Sequence, residues 1–412
     1  MSGTAEPGAR AQDRRAPSGA LLPLLAAITA VGAITLNIYL PARPAAQAEF
    51  NASAFATGLT VSLAGVAFAI GLLCYGPWSD RRGRRPVILA GLGLFTVGTA
   101  VAAGATSMTM LIAGRVIQAL GSAAGVTVGR AVVSDVFPRE EIARSLAYLT
   151  MVVAVANALA PSAGGLLTHW YSWRAVFAAL LVAAAGVFYW TASSLPETLR
   201  PLSRPPPSGG ITRTITALLC EPTFLACALQ NIVVYAAFLV FASYMPFVMT
   251  RALGASVAGY GAWYLLIALG YFLGNFAVTR LTTHVGSSRL LRAGVTIQML
   301  ASLLALALAA LHYWHPLAVF GPWLVLAFGQ GLILPSVTAT AVALRPAAAG
   351  TAAGLLGFLQ QIGAAVAVQS MAIASFTSPV PVSAFIALVC TAAWLAAIMS
   401  GPLLEYRPAA GT

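Results

Sequence analysis

The chain has 412 residues, 59% hydrophobic and only 8% charged, with a mean hydropathy of +0.87. A soluble domain carries roughly 25% charged residues, so this composition excludes a water-soluble globule. The net charge of +12 comes from arginine alone, and the placement of those arginines, described below, excludes a nucleic-acid footprint.

Apolar runs of about 20 residues match the hydrocarbon thickness of a bilayer, where only internally bonded backbone is tolerated. After a polar stretch at 1–18, expected to be a disordered tail rather than a cleaved leader, the runs predict helices in this order: 19–41, 53–75, 87–104, 109–129, 146–167, 175–194, 223–248, 256–278, 293–311, 317–343, 350–374 and 383–404. The longest connection, 195–222, begins LPETLRPLSRPPPSGG and reads as an extended linker. It separates a first bundle (19–194) from a second (223–404), with a tail at 405–412. The expected fold is all-α, 12 transmembrane helices as two six-helix bundles around a central cavity. A faint repeat supports two related halves: GRRPVILAG (83–91) and GSSRLLRAG (286–294) lie 203 residues apart, each after the second helix of its half.

With the amino terminus inside, eighteen arginines fall in inner segments. Only Arg43, Arg174 and Arg251 fall in outer ones, and Arg115 lies within the fourth helix. This bias puts both termini on the cytoplasmic side and requires an even number of spans. The four cysteines have neither metal-ligand nor disulfide spacing, so no metal or other cofactor is expected.

Residues 76–88, GPWSDRRGRRPVI, join the second and third helices. Gly76 and Gly83 permit tight turns and close backbone approach. Asp80 is the lone acid among Arg81, Arg82, Arg84 and Arg85. It is expected to accept hydrogen bonds from the first amides of a neighbouring helix, where the dipole favours negative charge. The arginines are expected to pair with a carboxylate across the bundle, with Asp135 as the candidate. Such pairs would latch the two halves in one state and break in the other. Charge bias alone explains the arginines, but not the two glycines and the acid.

Gly76, Asp80, Arg81, Gly83, Arg84 and Arg85 match G-x-x-x-D-R-x-G-R-R/K, and the chain thereby resembles the major facilitator superfamily. Further segments resemble its Bcr/CflA drug-resistance branch: LIAGRVIQALGSAAG (111–125) with Arg115, Gln118 and Gly121, ALAPSAGG (158–165), LNIYLPARP (36–44), LPETL in the linker and GFLQQIGA (357–364). The resemblance implies a secondary-active transporter of the bacterial inner membrane that exports drug-like or amphipathic molecules by alternating access and proton antiport. It also implies that Pro161, Gly164 and Gly165 form an antiporter motif that bends and packs the fifth helix, although Ala156 and Ala160 stand where that motif favours glycine. Asn37 is a larger departure. The corresponding family residue is commonly an acid that carries the coupling proton, and Asn cannot titrate.

Polar residues inside apolar helices are the candidates for a solute site: Thr29, Asn37, Arg115, Gln118, Asn157, Gln230, Asn231, Tyr235, Phe238, Gln360 and Gln361. Arg115, at mid-helix, is expected to face the bundle interior as a charge in or beside the cavity, or to serve as an anchor for backbone carbonyls. The absence of acids in the cavity argues against a strong preference for cationic solutes, and Arg115 tilts the balance towards neutral or anionic ones. The expected partners are a small-molecule substrate, protons as a candidate coupling ion and the lipid bilayer, with no nucleic acid and the chain as a monomer. Coupling would use Asp135 or another peripheral acid, or the protein is a proton-independent facilitator, a metabolite exporter or an uptake carrier. A sensor or scaffold on the same fold is the non-transporting rival. An enzyme is not expected, because the sequence lacks HExxH, G-x-S-x-G and any deep acid or histidine.

Overall fold

A computed structural model describes residues 20–199, 211–345, 348–373 and 378–399. The expected tails at 1–18 and 405–412, and linker residues 200–210, lie outside it. The described residues form helices α1 (Leu21–Asn37), α2 (Arg43–Glu49), α3 (Ala54–Arg82), α4 (Arg84–Ala103), α5 (Met108–Val136), α6 (Arg139–Trp170), α7 (Trp173–Ser194), α8 (Ile211–Leu219), α9 (Pro222–Arg251), α10 (Val257–Val285), α11 (Ser287–Ala310), α12 (Pro316–Ala343), α13 (Ala349–Met371) and α14 (Val380–Met399). Twelve stretches of 20–31 residues are long and apolar enough to cross a bilayer, with α1 and α2 forming one of them and α8 forming none. Large apolar side chains such as Val182, Tyr189, Phe272, Val366 and Leu388 point outward from the bundle, as a lipid-facing surface requires.

Most helices outrun the apolar segments that predicted them. The second continues to Arg82, the fourth to Val136 and the eighth to Val285. An apolar run marks the hydrocarbon layer, and the helix continues into the interfacial zone, where charged residues are tolerated. Two expectations need correction. The first helix is interrupted: α1 ends at Asn37, and a 3-10 turn at Leu40–Ala42 leads into α2. Pro41 and Pro44 supply no backbone N–H there, which accounts for the break. The linker is not wholly extended, since Ile211–Leu219 is helical.

The 203-residue repeat extends well beyond the quoted nonapeptides. α3 and α10 are both 29 residues long. They are capped by Ser53 and Ser256, whose hydroxyls accept from the amides of Ala56 and Gly259. Both end on a glycine of positive φ, Gly83 at +98° and Gly286 at +84°, and the next helix starts at once. Glycine is required at such a turn because positive φ combined with extended ψ strains any residue with a Cβ. Each half has its own core: Leu25, Phe68, Leu92 and Val128 are buried together in the first, Phe224, Val295, Ile333 and Leu355 in the second.

Because consecutive helices reverse direction, the bundle has two ends. One carries Asp80, the α3–α4 turn and the end of α7. The other carries Arg43 and the α9–α10 turn.

Candidate functional site

At the Arg43 end the two halves are in contact. Arg43 is 0% exposed. Its Nη1 donates to the backbone carbonyl of Ser243 on α9, and its guanidinium lies 5.3 Å and 5.4 Å from the ring centres of Tyr244 and Phe247. The Tyr244 hydroxyl donates to the carbonyl of Val368 on α13. Arg251 donates to Gln47 at 3.0 Å, Ser62 to Gln369 at 3.1 Å and Ser162 to the carbonyl of Gly261 at 2.6 Å, each crossing from one half to the other. Arg43, placed by the sequence in an outer connection, is therefore an inter-half seal. Its position at the start of α2, against the aromatic face of α9, explains its burial.

Gly164 and Gly165 serve this closed end. A side chain on Gly164 would run into the carbonyl of Ile38 and into Pro41, and one on Gly165 would sit 2.8 Å from the carbonyl of Val257 in the other half. Gly165→Val should therefore push the halves apart at this end. Spin labels on the exposed positions Tyr171 and Tyr313 would report it as a longer distance than in the parent; an unchanged distance would show that the α6–α10 contact is not limiting. Pro161 lies inside α6, one residue before Ser162.

At the Asp80 end the halves part around a cavity of about 900 Å³ that opens outward. Its lining comes from Thr150 of α6, Asn231 of α9, Tyr271 and Asn275 of α10, Leu334, Pro335, Thr338, Ala339, Val342 and Ala343 of α12, and Gln360 of α13. Asn231 Nδ2 donates to Gln360 Oε1 at 3.1 Å and to the carbonyl of Leu356 at 3.3 Å. This volume suits a drug-sized ligand held by apolar walls and a few polar groups.

The sequence-derived candidates divide sharply. Asn231 and Gln360 line the cavity, whereas Thr29, Arg115, Gln118 and Gln230 are spent in helix seams, which corrects their placement in a solute cavity. Thr29 donates to the carbonyl of Leu25 beside Gly129. Arg115 is 0% exposed. It donates to the carbonyl of Thr35 at 2.9 Å, to Gln118 Oε1 at 2.6 Å and to the carbonyl of Thr60 at 3.4 Å, with the rings of Tyr39 and Phe177 at 5.3 Å and 6.0 Å. Gln118 then donates to the Thr99 hydroxyl on α4, and Gln230 to the carbonyl of Ala393 on α14. Asn37 donates to Asn157 Oδ1 at 3.0 Å, tying α1 to α6. Tyr235 and Phe238 form a tilted ring pair at 5.9 Å and are partly buried against an apolar cluster drawn mainly from the second half, and Gln361 is buried facing Gly65 of α3. Tyr271 and Asn275 were missed, although Asn275 carries the same signal as Asn231, a carboxamide within an apolar run.

The Asp80 loop also needs revision. Asp80 is 61% exposed at its side chain and pairs with Arg84 at 2.7 Å. Arg84, almost fully buried, pairs with Asp135 at 2.8 Å and donates to the Ser79 hydroxyl. The first amides of α4 are taken by Glu197, which accepts from Arg84 N at 2.9 Å and Arg85 N at 3.2 Å, while Arg85 Nη2 donates to the carbonyl of Ala192. Burial raises the Glu197 carboxyl, but the backbone donations of Leu199, Arg84, Thr198 and Arg85 together hold it below the ordinary range. Gly83 makes room for that carboxylate, whereas Gly76 lies within α3 with nothing nearer than Thr127 at 3.9 Å. Arg81 is exposed. All these partners belong to the first half or to the start of the linker, so in this conformation the network staples α3, α4, α5 and the end of α7 together and, among the described residues, carries no bond to the second half.

Residues 25–368 match the sequence pattern described as Major Facilitator Superfamily. The chain belongs to this superfamily. This major facilitator protein is 32% identical to Multidrug resistance protein D of Escherichia coli (strain K12) over 357 residues, 84% of this chain and 86% of that one. It is 26% identical to the Bicyclomycin resistance protein homolog of Haemophilus influenzae over 330 residues, 78% and 81% of the two chains. The crystal structure of a D-xylose-proton symporter superposes with a TM-score of 0.75 at 14% identity, covering 91% of this chain and 96% of that one, a likeness of fold alone. As a major facilitator transporter it is a multi-pass membrane protein and not an enzyme.

Proposed function

We propose that this transporter is a secondary-active exporter of the Bcr/CflA type that moves drug-like, amphipathic small molecules across a bacterial inner membrane by alternating access. One observation carries the reading: a solute-sized cavity between the halves is open at the Asp80 end while Arg43 and Tyr244 seal the opposite end. The arginine bias supports placing the Asp80 end and both termini in the cytoplasm, so this conformation faces inward, ready to load from the cell interior. The linker between 194 and 223 joins two bundles that rock about the cavity, and the Asp80–Arg84–Asp135 network acts as the cytoplasmic gate. Its salt bridges stiffen the first half for that motion, and docking of the second half onto this surface would close the mouth.

Coupling turns on what titrates. In the antiport reading a peripheral acid, Asp135, carries the proton and exchanges it against its pairing with Arg84. The Asn37–Asn157 bond favours a second reading, in which flux is independent of protons, because a carboxamide pair occupies the place where the resemblance expects an acid. Uptake of a fluorescent amphipath into inverted vesicles, with and without an imposed pH gradient, decides between them. Antiport predicts collapse of uphill transport with the gradient and with Asp135→Asn, whereas gradient-independent equilibration removes antiport. No flux under either condition, in vesicles shown to contain folded protein, would remove the transporter reading.

A further inference from the structure

The cavity sets a few uncharged polar groups in mainly apolar walls. Its hydrogen-bonding side chains are Asn231, Asn275, Gln360, Tyr271, Thr150 and Thr338, and the remaining lining is aliphatic. Part of their capacity is already committed. Asn231 donates to Gln360 and to a backbone carbonyl, Asn275 donates to the carbonyl of Tyr271 at 2.9 Å, and Thr150 donates to the carbonyl of Leu146 at 2.9 Å. These commitments orient the carboxamides. The oxygens of Asn231 and Asn275 keep acceptor capacity, and the Gln360 amide, held by its oxygen, keeps its donors.

Among the described residues no charged side chain lines this cavity; Arg130, exposed on α5, is not part of its lining. Arg115 is enclosed by Tyr39, Phe177 and three acceptors, and Arg43 is enclosed at the sealed end, both at 0% exposure. Asp135 is held by Arg84 in the first-half staple. An ion entering this cavity would leave water and meet no charged side chain among its described lining residues, a penalty that grows as the mouth closes around it. A neutral solute gives up only amide or hydroxyl hydration and recovers it on the carboxamides.

We propose that the cavity selects uncharged amphipathic solutes that both donate and accept hydrogen bonds. The Asn231–Gln360 pair, with Asn275, sets that specificity, and Arg115 does not contribute to it. The proposal rests on the transport reading above and narrows it to one substrate class.

A matched dansyl series tests it on the full chain in lipid nanodiscs: neutral dansylamide, its permanently cationic trimethylammonioethyl derivative and anionic dansylglycine, with binding read by fluorescence. Dansylamide should bind about tenfold or more tightly than either charged analogue, and Gln360→Met should weaken it about three- to tenfold, the range of one or two lost hydrogen bonds. Because Asn231 is buried and bonded to backbone, Asn231→Leu is open to misfolding; Asn275→Leu serves as the second variant and should weaken dansylamide in the same way. Arg115→Lys should leave the order of the three probes unchanged. Equal or tighter binding of the cation or the anion overturns the proposal. So does binding of none of the three, or full affinity in both Gln360→Met and Asn275→Leu. The same probes in proteoliposomes separate this from the broader reading: selective binding of dansylamide without translocation would remove transport and leave the recognition site standing.

Discussion

Arg43→Ala shifts the transporter toward a state in which the Arg43 end is open. The buried guanidinium donates to the Ser243 carbonyl and lies over Tyr244 and Phe247, so it holds the first half to the second. A hydrogen bond from a charged donor contributes about 1.5–3 kcal/mol, and a desolvated cation–π contact about 2 kcal/mol. Desolvation of the arginine opposes these terms by several kcal/mol. Truncation to alanine relieves that cost, but it also removes the charged donor to the Ser243 carbonyl, which keeps only its helical N–H, and leaves a void the size of a long side chain. A net loss of about 2 kcal/mol from this conformation corresponds to a roughly 30-fold change in the ratio of the two states. Thiol labelling of Ser62→Cys, buried at this end in the parent, measures it from the Arg43 side of the membrane. Labelling should accelerate by about that factor. Arg43→Met, which fills the space without charge, isolates the desolvation term: a tighter seal than the parent would show that the buried charge weakens the closed state.

Arg115→Leu should damage the fold rather than the substrate profile. Its three acceptors, the carbonyls of Thr35 and Thr60 and the Gln118 side chain, come from α1, α3 and α5, so the arginine is the junction of three helices. Leucine takes this donor away from Gln118 Oε1 and the Thr35 carbonyl, while the Thr60 carbonyl, inside α3, keeps its helical N–H. Buried polar groups without partners cost about 1–3 kcal/mol each, reduced in membrane proteins, where single polar contacts average about 0.6 kcal/mol. A loss of about 2–4 kcal/mol is expected on these figures. It should appear as poor yield and a lowered melting temperature in detergent, with partial recovery in Arg115→Lys. A well-folded Arg115→Leu protein that had lost only anionic solutes would instead restore Arg115 to the cavity.

The contrast between these arginines shows what the sequence carries and what it does not. The number of spans is legible because twenty apolar residues in succession have one stable conformation in lipid. The two-fold organisation is legible in Gly83 and Gly286, where backbone geometry forces the residue type, and Ser53 and Ser256 repeat the same spacing. The Asp80 loop is legible as a motif, but its partners are not. Glu197 reaches the amides of α4 from 113 residues away along the chain, and LPETL reads locally as linker. Membership of the cavity is the least legible feature. Asn231 and Gln230 are adjacent in sequence, yet one faces the solute space and the other the α9–α14 seam. Only the crossing of α9 with α13 and α14 decides which is which. Arg43 was hidden for a similar reason, since it sits between Pro41 and Pro44 at the end of an apolar run and reads as an outer-loop cation until α9 is placed against it.

Bridging the halves at the Arg43 end tests alternating access most directly. In a variant whose four native cysteines are replaced, Ser62→Cys and Gln369→Cys face one another across the halves, and Thr338→Cys marks the cavity. Linking the first two with a short bis-methanethiosulfonate should stop transport, and reductant should restore it. With the link in place, an impermeant maleimide should still reach Thr338→Cys from the Asp80 side, and only from there. Undiminished transport through the linked protein, or labelling of that cysteine from the Arg43 side, would contradict two halves rocking about a central solute site.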